Sequence, residues 1–518
     1  MLPSALLRVT EGVTPYFCFL LFVVTLGPLQ FGFHLAELNA PQDIITCHSG
    51  QAPNFLNSDD WPLCIPMSEA QFATVSSVFT VGGLVGALVA GPYCSRYGRL
   101  LAMEMTALLF IAGSIAETFA MTISILAIGR ILNGLGAGAA TVIVPLYISE
   151  VAPAQSRGFF GTFTQITVNI GILFTQTLGY FLSRGSDWRY ILSTGMWLGA
   201  VQCIGLFFVP ESPVWIFASS KSPIAFQKAH RTLERIRGKG ANLAAEEAQW
   251  SGAARSAEEQ SLLGQGATRL DGCDDSEGVV AIAPPSPRPA AAALQGAKKP
   301  TVGFFGLVTD PSYRPALIAV IGIMFAQQVC GINSVIMYSV SLLNGMLPLN
   351  SAVLTIIISA ANLITTMLSA PLPDRLGRKT CLLLSVVGQG ISSFLLAFSI
   401  VYSVKILSAI SVLTFVAFFA VGLGPVPFIL ASELVGQEAV GATQSWALGA
   451  NYVATFLVAQ FFPLINSALN AKLGGAGWVY FLFAFFAVLS ATFFWFYVPE
   501  TNGKKNADEV WGKTTRVD

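Results

Sequence analysis

Residues 95–100 read SRYGRL, and residues 374–379 read DRLGRK. Each is followed by a second shared stretch, YISEVAPAQSRG (147–158) against LASELVGQEAVG (430–441). A third follows in the same order, PES (210–212) against PET (499–501). Arg99 stands 279 residues before Arg378, Glu150 stands 283 before Glu433, and Glu211 stands 289 before Glu500. Three motifs at nearly one offset imply a duplicated unit, with both copies in the same orientation. The intervals between the motifs are apolar. A helix needs about 20 apolar residues to cross a bilayer, and such spans lie near 15–35, 70–93, 100–121, 124–148, 158–182 and 189–209. A second six lie near 315–343, 351–372, 380–402, 406–432, 441–465 and 477–498. Unbroken runs such as FCFLLFVV (17–24) are not the short alternating segments of a β-barrel. The first span follows a polar start with no convincing cleavage site, so it reads as a retained helix.

Composition agrees. The chain has 518 residues, 54% hydrophobic and 11% charged, with 28 Lys+Arg balanced by 28 Asp+Glu. A soluble protein carries roughly 25% charged residues, and 23 of the charges here lie between Glu211 and Arg314. So little charge elsewhere excludes a soluble enzyme and a disordered scaffold. The absence of basic excess excludes a nucleic-acid binder. No metal spacing, catalytic constellation or cofactor motif stands out, so the reading is of a non-enzyme without cofactors. Positive charge sets the orientation. From Ala36 to Ser95 there is no Lys or Arg, whereas Arg96, Arg99, Arg157, Arg375, Arg378 and Lys379 fall in the alternate loops. Both termini then face the cytosol, and the 36–69 loop faces outside or a lumen.

The expected division is a cytosolic start (1–14), a six-helix half (15–210), a cytosolic central segment (211–314), a second six-helix half (315–498) and a cytosolic tail (499–518). Within the central segment, 213–250 holds helical stretches such as FQKAHRTLERIR (226–237). Residues 251–300 are rich in Ala, Gly, Pro and Ser and read as disordered.

Beyond the repeated motifs the chain carries LQFGFHLAELNAPQ (29–42), GRILNGLGAGAA (129–140), QQVCGIN (327–333), GPVPFILASEL (424–434) and PETNGK (499–504). With these it resembles the sugar porter family of the major facilitator superfamily. The opening motif is most similar to animal hexose facilitators and fungal intracellular sugar porters. The resemblance implies an all-α membrane fold of twelve helices in two pseudo-symmetric halves that rock about a central site. It also implies alternating-access transport of a neutral sugar. A sugar has many hydroxyls and no charge, so its site needs amides, which donate and accept. Gln165, Asn169 and Gln176 share one helix face in the fifth span, and Asn451 and Thr455 do so in the eleventh. Gln327, Gln328 and Asn333 would not share a face on an ideal helix, but Gly331 permits a break. The resemblance makes Gln165, Gln327, Gln328, Asn333, Asn362 and Asn451 substrate residues, rather than amides that only join helices. Phe428 stands where the family has a tryptophan and can still stack on a sugar ring. Ala420 replaces an acidic residue common in hexose facilitators.

In the family, loop arginines pair with glutamates at helix ends and lock the outward-open state. The matching residues are Arg96, Arg99, Glu150, Arg157 and Glu211 in the first half, with Arg375, Arg378, Glu433 and Glu500 in the second. Family arginines are missing at Leu100, Val214 and Val440, which implies a weaker lock and a shifted resting state. His34 falls where proton-coupled relatives carry Asp and facilitators carry Asn. It is the candidate proton site, against the alternative of a neutral His bonding a neighbouring helix. Glu37 reads as nearer the outer mouth, and Glu117 as solvated at the end of the third span. GLGAGA (134–139) lies in an apolar span with no preceding strand, so it reads as close helix packing and not a dinucleotide site.

Cys47 and Cys64, alone of eight cysteines in the outer loop, are expected to form a disulfide. Glu258, Leu262 and Leu263 fit an acidic-dileucine address for a vesicle adaptor, which points to a vacuolar or endosomal membrane, with the plasma membrane as the alternative. The expected activity is monosaccharide uniport by a monomer in the bilayer. The alternatives are a proton-coupled sugar or polyol symporter using His34 and a non-transporting sugar sensor. The short tail after Glu500 argues against a sensor.

Overall fold

A computed structural model describes residues 13–47, 62–153, 157–220, 222–238, 243, 246–247, 306–343, 351–436, 439–504 and 507–512. Among these, all regular structure is helical. The first six long helices are α1 (Pro15–Ala36), α2 (Glu69–Tyr97), α3 (Arg99–Thr118), α4 (Ile123–Val151), α5 (Arg157–Leu182) and α6 (Trp188–Leu206). Two short helices follow, α7 (Pro213–Ser220) and α8 (Pro223–Arg237), where the sequence placed helical stretches. The seventh span is broken into α9 (Arg314–Val329) and α10 (Ile332–Leu343), and the eighth is α11 (Ser351–Ser369). Then come α12 (Arg378–Val401), a tenth span broken into α13 (Lys405–Val421) and α14 (Val426–Glu433), α15 (Val440–Leu473) and α16 (Trp478–Tyr497).

Ten of the twelve spans are long and apolar enough to cross a membrane. The other two, α5 and α6, are 26 and 19 residues long and more polar, carrying Gln165, Asn169 and Gln176 in one and Arg189 and Gln202 in the other. Local chemistry sets the starts. Thr14 caps the amide of Phe17 before Pro15. Ser68 and Gln71 form a reciprocal capping box that begins α2. Pro28, Pro92, Pro145 and Pro463 lie inside helices, which neighbouring helices tolerate in a bundle.

The tightest crossing joins α2 to α4. A Cβ added at Gly82 or Gly86 would lie 2.3 or 2.2 Å from the carbonyl oxygens of Ile131 and Leu135. One added at Gly134 or Gly138 would lie 2.1 or 1.9 Å from those of Phe79 and Gly83. Small residues four apart on both helices bring the backbones into direct contact, so GLGAGA is a packing seam as its sequence suggested.

Both ends of the described chain lie at one end of the bundle, with the Arg99 and Arg378 motifs. This is the basic end; the Cys47–Cys64 bridge, with a Cα–Cα distance of 5.4 Å, lies at the other. The apolar core divides accordingly. One cluster at the disulfide end joins both halves, running from Leu35, Phe72 and Phe79 to Ile332, Tyr338, Phe462 and Phe483. Toward the basic end the core is two separate clusters. Phe17, Ala90, Met103 and Tyr147 belong to the first half alone, and Val320, Cys381, Leu430 and Phe494 to the second alone. Among the described residues, the apolar core therefore joins the halves at the disulfide end and forms separate clusters toward the basic end.

Candidate functional site

The break in the seventh span sits at Gly331, whose φ of +98° suits glycine. A Cβ there would also lie 2.6 Å from the Phe483 ring. The break lets Gln327, Gln328 and Asn333 converge as a continuous helix would not. Asn333 Nδ2 donates to Gln328 Oε1 at 2.6 Å, and Gln328 Nε2 donates to Gln327 Oε1 at 3.3 Å. Asn451 Nδ2 of α15 donates to the same Gln327 oxygen. Thr455 Oγ1 lies 3.4 Å from Asn333 Nδ2 and donates to the Asn451 carbonyl at 2.8 Å. The break in the tenth span frees backbone carbonyls, and Gln327 Nε2 donates to those of Leu423 and Gly424. Four of the expected substrate residues thus form one network linking three spans.

A second network lies between the halves. Asn169 of α5 donates to Thr366 Oγ1 at 2.9 Å and accepts from Asn362 Nδ2 of α11 at 3.3 Å. Gln165 Nε2 reaches Asn169 Oδ1 at 3.4 Å. Asn362 Oδ1 is buried without a partner, an acceptor free for a hydroxyl. Gln176 accepts from Thr355 at 3.3 Å and so joins helices. Sequence reasoning passed over Thr366. It also passed over Tyr452, which packs where a Cβ on Gly83 would lie, 2.4 Å from its ring. Phe428 is not brought into either network. Its ring is 42% exposed on α14, and no stacking partner is recorded for it.

The repeat is reproduced atom for atom at the basic end. Arg99 pairs with Glu150 through two nitrogens at 3.0 and 2.7 Å, and Arg378 with Glu433 at 3.2 and 3.0 Å. Such forked pairs are the strong geometry for arginine and carboxylate. Glu211 and Glu500 have a different role from the arginine pairing suggested by sequence. Glu211 accepts from the backbone amides of Arg99 and Leu100, each at 3.0 Å. Glu500 accepts from those of Arg378 and Lys379 at 2.8 and 3.1 Å. Each carboxylate caps the helix that begins after a glycine of positive φ, Gly98 or Gly377. Arg96 lies over the Tyr97 ring at 5.3 Å, and Arg375 is exposed. The Arg157 side chain and the Glu258, Leu262 and Leu263 motif lie outside the described residues. Among the described residues, the ion pairs at this end each stay within one half. Across the halves, the hydrogen bonds lie from mid-bundle to the disulfide end: Asn39 to the Ile336 carbonyl, Ser77 to Gln460 and Ser467 to Glu69.

The reading of Glu117 as solvated is corrected, and His34 has a carboxylate partner. His34 Nδ1 lies 2.8 Å from Glu37 Oε2, and both side chains are fully buried. Glu117, expected to be solvated, is also fully buried. Arg130 of α4 donates to Glu37 Oε1 and to the His34 carbonyl, each at 2.6 Å, and lies 4.5 Å from the centre of the Phe79 ring. A helix-end glutamate looks solvated in sequence because the helix packed across it is not visible there.

A family model described as "Sugar (and other) transporter" matches residues 20–269 and 287–511. A probable metabolite transport protein of Saccharomyces cerevisiae is 31% identical over 501 residues, covering 94% of this chain and 93% of that one. From the same yeast, the vacuolar protein sorting-associated protein 73 is 28% identical over 498 residues, covering 94% of each chain. The facilitated glucose transporter member 3 of solute carrier family 2 from Ovis aries is 30% identical over 511 residues, covering 96% and 92%. Among solved structures, the partially occluded inward-open form of the xylose transporter XylE from E. coli superposes with a TM-score of 0.71 at 23% identity. It covers 95% of this chain and all of that one. The repeat, the twelve-span fold and these matches agree: the chain belongs to the sugar porter family of the major facilitator superfamily and is a multi-pass membrane transporter, not an enzyme.

Proposed function

We propose that this transporter moves a neutral monosaccharide of the hexose class by alternating access, as a uniporter. The observation that carries the reading is the network of Gln327, Gln328, Asn333 and Asn451 at two helix breaks. Its amides satisfy one another, and sugar hydroxyls can replace those bonds one for one. No charge is buried in this network, which suits an uncharged solute. Among the described residues the apolar core joins the halves at the disulfide end and forms separate clusters toward the basic end, which supports the weaker basic-end lock expected from Leu100, Val214 and Val440. The positive-inside rule makes the basic end cytosolic, and the disulfide suits a lumen or the outside. The yeast relative named for vacuolar sorting supports a vacuolar or endosomal membrane. Glu258, Leu262 and Leu263 are the proposed adaptor address there.

A second reading, proton-coupled transport, is favoured by the buried His34 cluster. Labelled-glucose uptake into proteoliposomes, with and without an imposed pH gradient, separates the two for wild type and His34→Asn. Equilibration unaffected by the gradient supports uniport. Gradient-dependent accumulation lost in the variant supports symport. No sugar flux refutes both for glucose.

A further inference from the structure

Four ionisable side chains are sealed together at the disulfide end: His34 and Glu37 from the end of α1, Glu117 from α3 and Arg130 from α4. The donor atoms of His34, Glu37 and Glu117 all lie within 4.8 Å of one another. Glycines on the adjoining helices make the room. A Cβ on Gly129 would lie 2.5 Å from Glu117 Cγ, and one on Gly195 would lie 2.5 Å from His34 Cε1. The cavity is thus shaped around ionisable groups, not around an apolar core.

The charges do not balance. Glu37 is matched by Arg130 through a 2.6 Å bond. Glu117 has no such match: both carboxyl oxygens are buried and accept from no donor. His34 Nε2 is likewise buried without a partner. Among the described residues, no other charged group faces the cluster. On α6 the nearest candidate, Arg189, turns away to the carbonyls of Thr118, Ala120 and Pro62. From α2, the Phe79 ring packs against the Arg130 guanidinium. A lone ionised carboxylate sealed from water is very costly, and the inexpensive remedy is a proton.

We infer that Glu117 is held as a carboxylic acid, its proton shared with the Glu37 carboxylate. This makes the pair a proton-binding site of the first half, distinct from the sugar amides. With that proton, the Glu37, Glu117 and Arg130 charges sum to zero while His34 stays neutral. Glu117 gains an acceptor, and α3 is tied to α1 and α4. Removing it leaves two carboxylates facing one guanidinium. Protonation therefore stabilises this seam at acidic and neutral pH, and the contribution is lost as the pH rises. Asn39, two residues beyond Glu37, donates to the Ile336 carbonyl of the other half at 3.0 Å. The seam thus stands directly beside the closure between the halves. The inference does not depend on uniport, because the proton is resident whether or not it travels with sugar.

The test is pH-difference infrared spectroscopy of the full-length protein in lipid, for wild type, Glu117→Gln and Glu37→Gln. Glu117→Gln keeps a donor toward Glu37 and so mimics the loaded site. Wild type at neutral pH is expected to show a carboxylic-acid carbonyl band that disappears in Glu117→Gln. Its thermal midpoint should fall in alkali, whereas that of Glu117→Gln should stay flat over the same range. A neutral-pH spectrum identical in wild type and Glu117→Gln overturns the assignment. So does an imidazolium signature from His34 in place of the acid band. Sugar-induced fluorescence change is scored in parallel, so that a failure of the sugar reading is seen separately.

Discussion

Gly138→Val tests the claim that α2 and α4 meet backbone to backbone. A Cβ at residue 138 would lie 1.9 Å from the Gly83 carbonyl oxygen and 2.6 Å from its carbon. An ordinary carbon–oxygen contact is about 3.3 Å, so the helices must part by about 1.4 Å for the first methyl-sized atom alone. Neither colliding atom belongs to a side chain, so no rotamer change relieves the clash. Gly134 makes a similar approach to Phe79 one turn away, and parting the helices opens that contact too. Overpacking of side chains costs about 1–3 kcal/mol, and a backbone collision belongs at or above the top of that range. Gly161→Ala is the matched control: Gly161 lies within α5, and a Cβ there meets nothing within 4 Å. It should be neutral or stabilise by up to about 1 kcal/mol. The assay is unfolding of purified protein in mixed micelles, read by tryptophan fluorescence, with size-exclusion chromatography to score monodispersity. A Gly138→Val protein within about 0.5 kcal/mol of wild type would refute the seam, since that is the scale of an ordinary surface substitution.

Three further outcomes are expected. Glu211→Ala and Glu500→Ala each leave two helix-start amides without their acceptor. Each should cost about 1–2 kcal/mol in the same unfolding assay, nearly equally because the halves repeat the geometry. Arg130→Met should be far worse, at about 3–5 kcal/mol, because it strands the buried Glu37 carboxylate. Arg130→Met with Glu37→Gln should recover part of that loss. Reducing the Cys47–Cys64 bridge, which spans 17 residues of sequence, should cost about 3 kcal/mol in the chain-entropy model. A Cys47→Ser/Cys64→Ser protein should show the same midpoint with or without reductant.

The fold was legible in the sequence because crossing a bilayer demands a minimum apolar length, and duplicated motifs preserve their offset. The amides were legible because Gln and Asn stand out within apolar spans. Gly331 signalled the break that gathers Gln327, Gln328 and Asn333. Other features depend on contacts between helices far apart in sequence. Glu37 and Glu117 look like helix-end charges until Gly129 and Gly195 are seen to make room around the cluster. Glu211 and Glu500 accept from backbone amides rather than from arginine side chains, a partner that leaves no trace in residue identity. Phe428 was placed by resemblance alone, since no local pattern marks an aromatic ring as a sugar contact. The eleventh span continues to Leu473, beyond the residue 465 expected from hydropathy, because Pro463 does not end the helix.

The most direct test of the central claim is the initial rate of labelled-glucose uptake, over a range of concentrations, by proteoliposomes containing wild type, Gln327→Leu or Asn451→Leu. Both variants remove the bond that ties α9 to α15. Losing one or two neutral hydrogen bonds to substrate costs about 1–3 kcal/mol, which corresponds to an apparent affinity weaker by about 5- to 150-fold. The account predicts saturable uptake by wild type, with the half-saturation concentration raised by that factor in both variants while each stays monodisperse. Saturable uptake with unchanged half-saturation in both variants would contradict the assignment of this network as the sugar site.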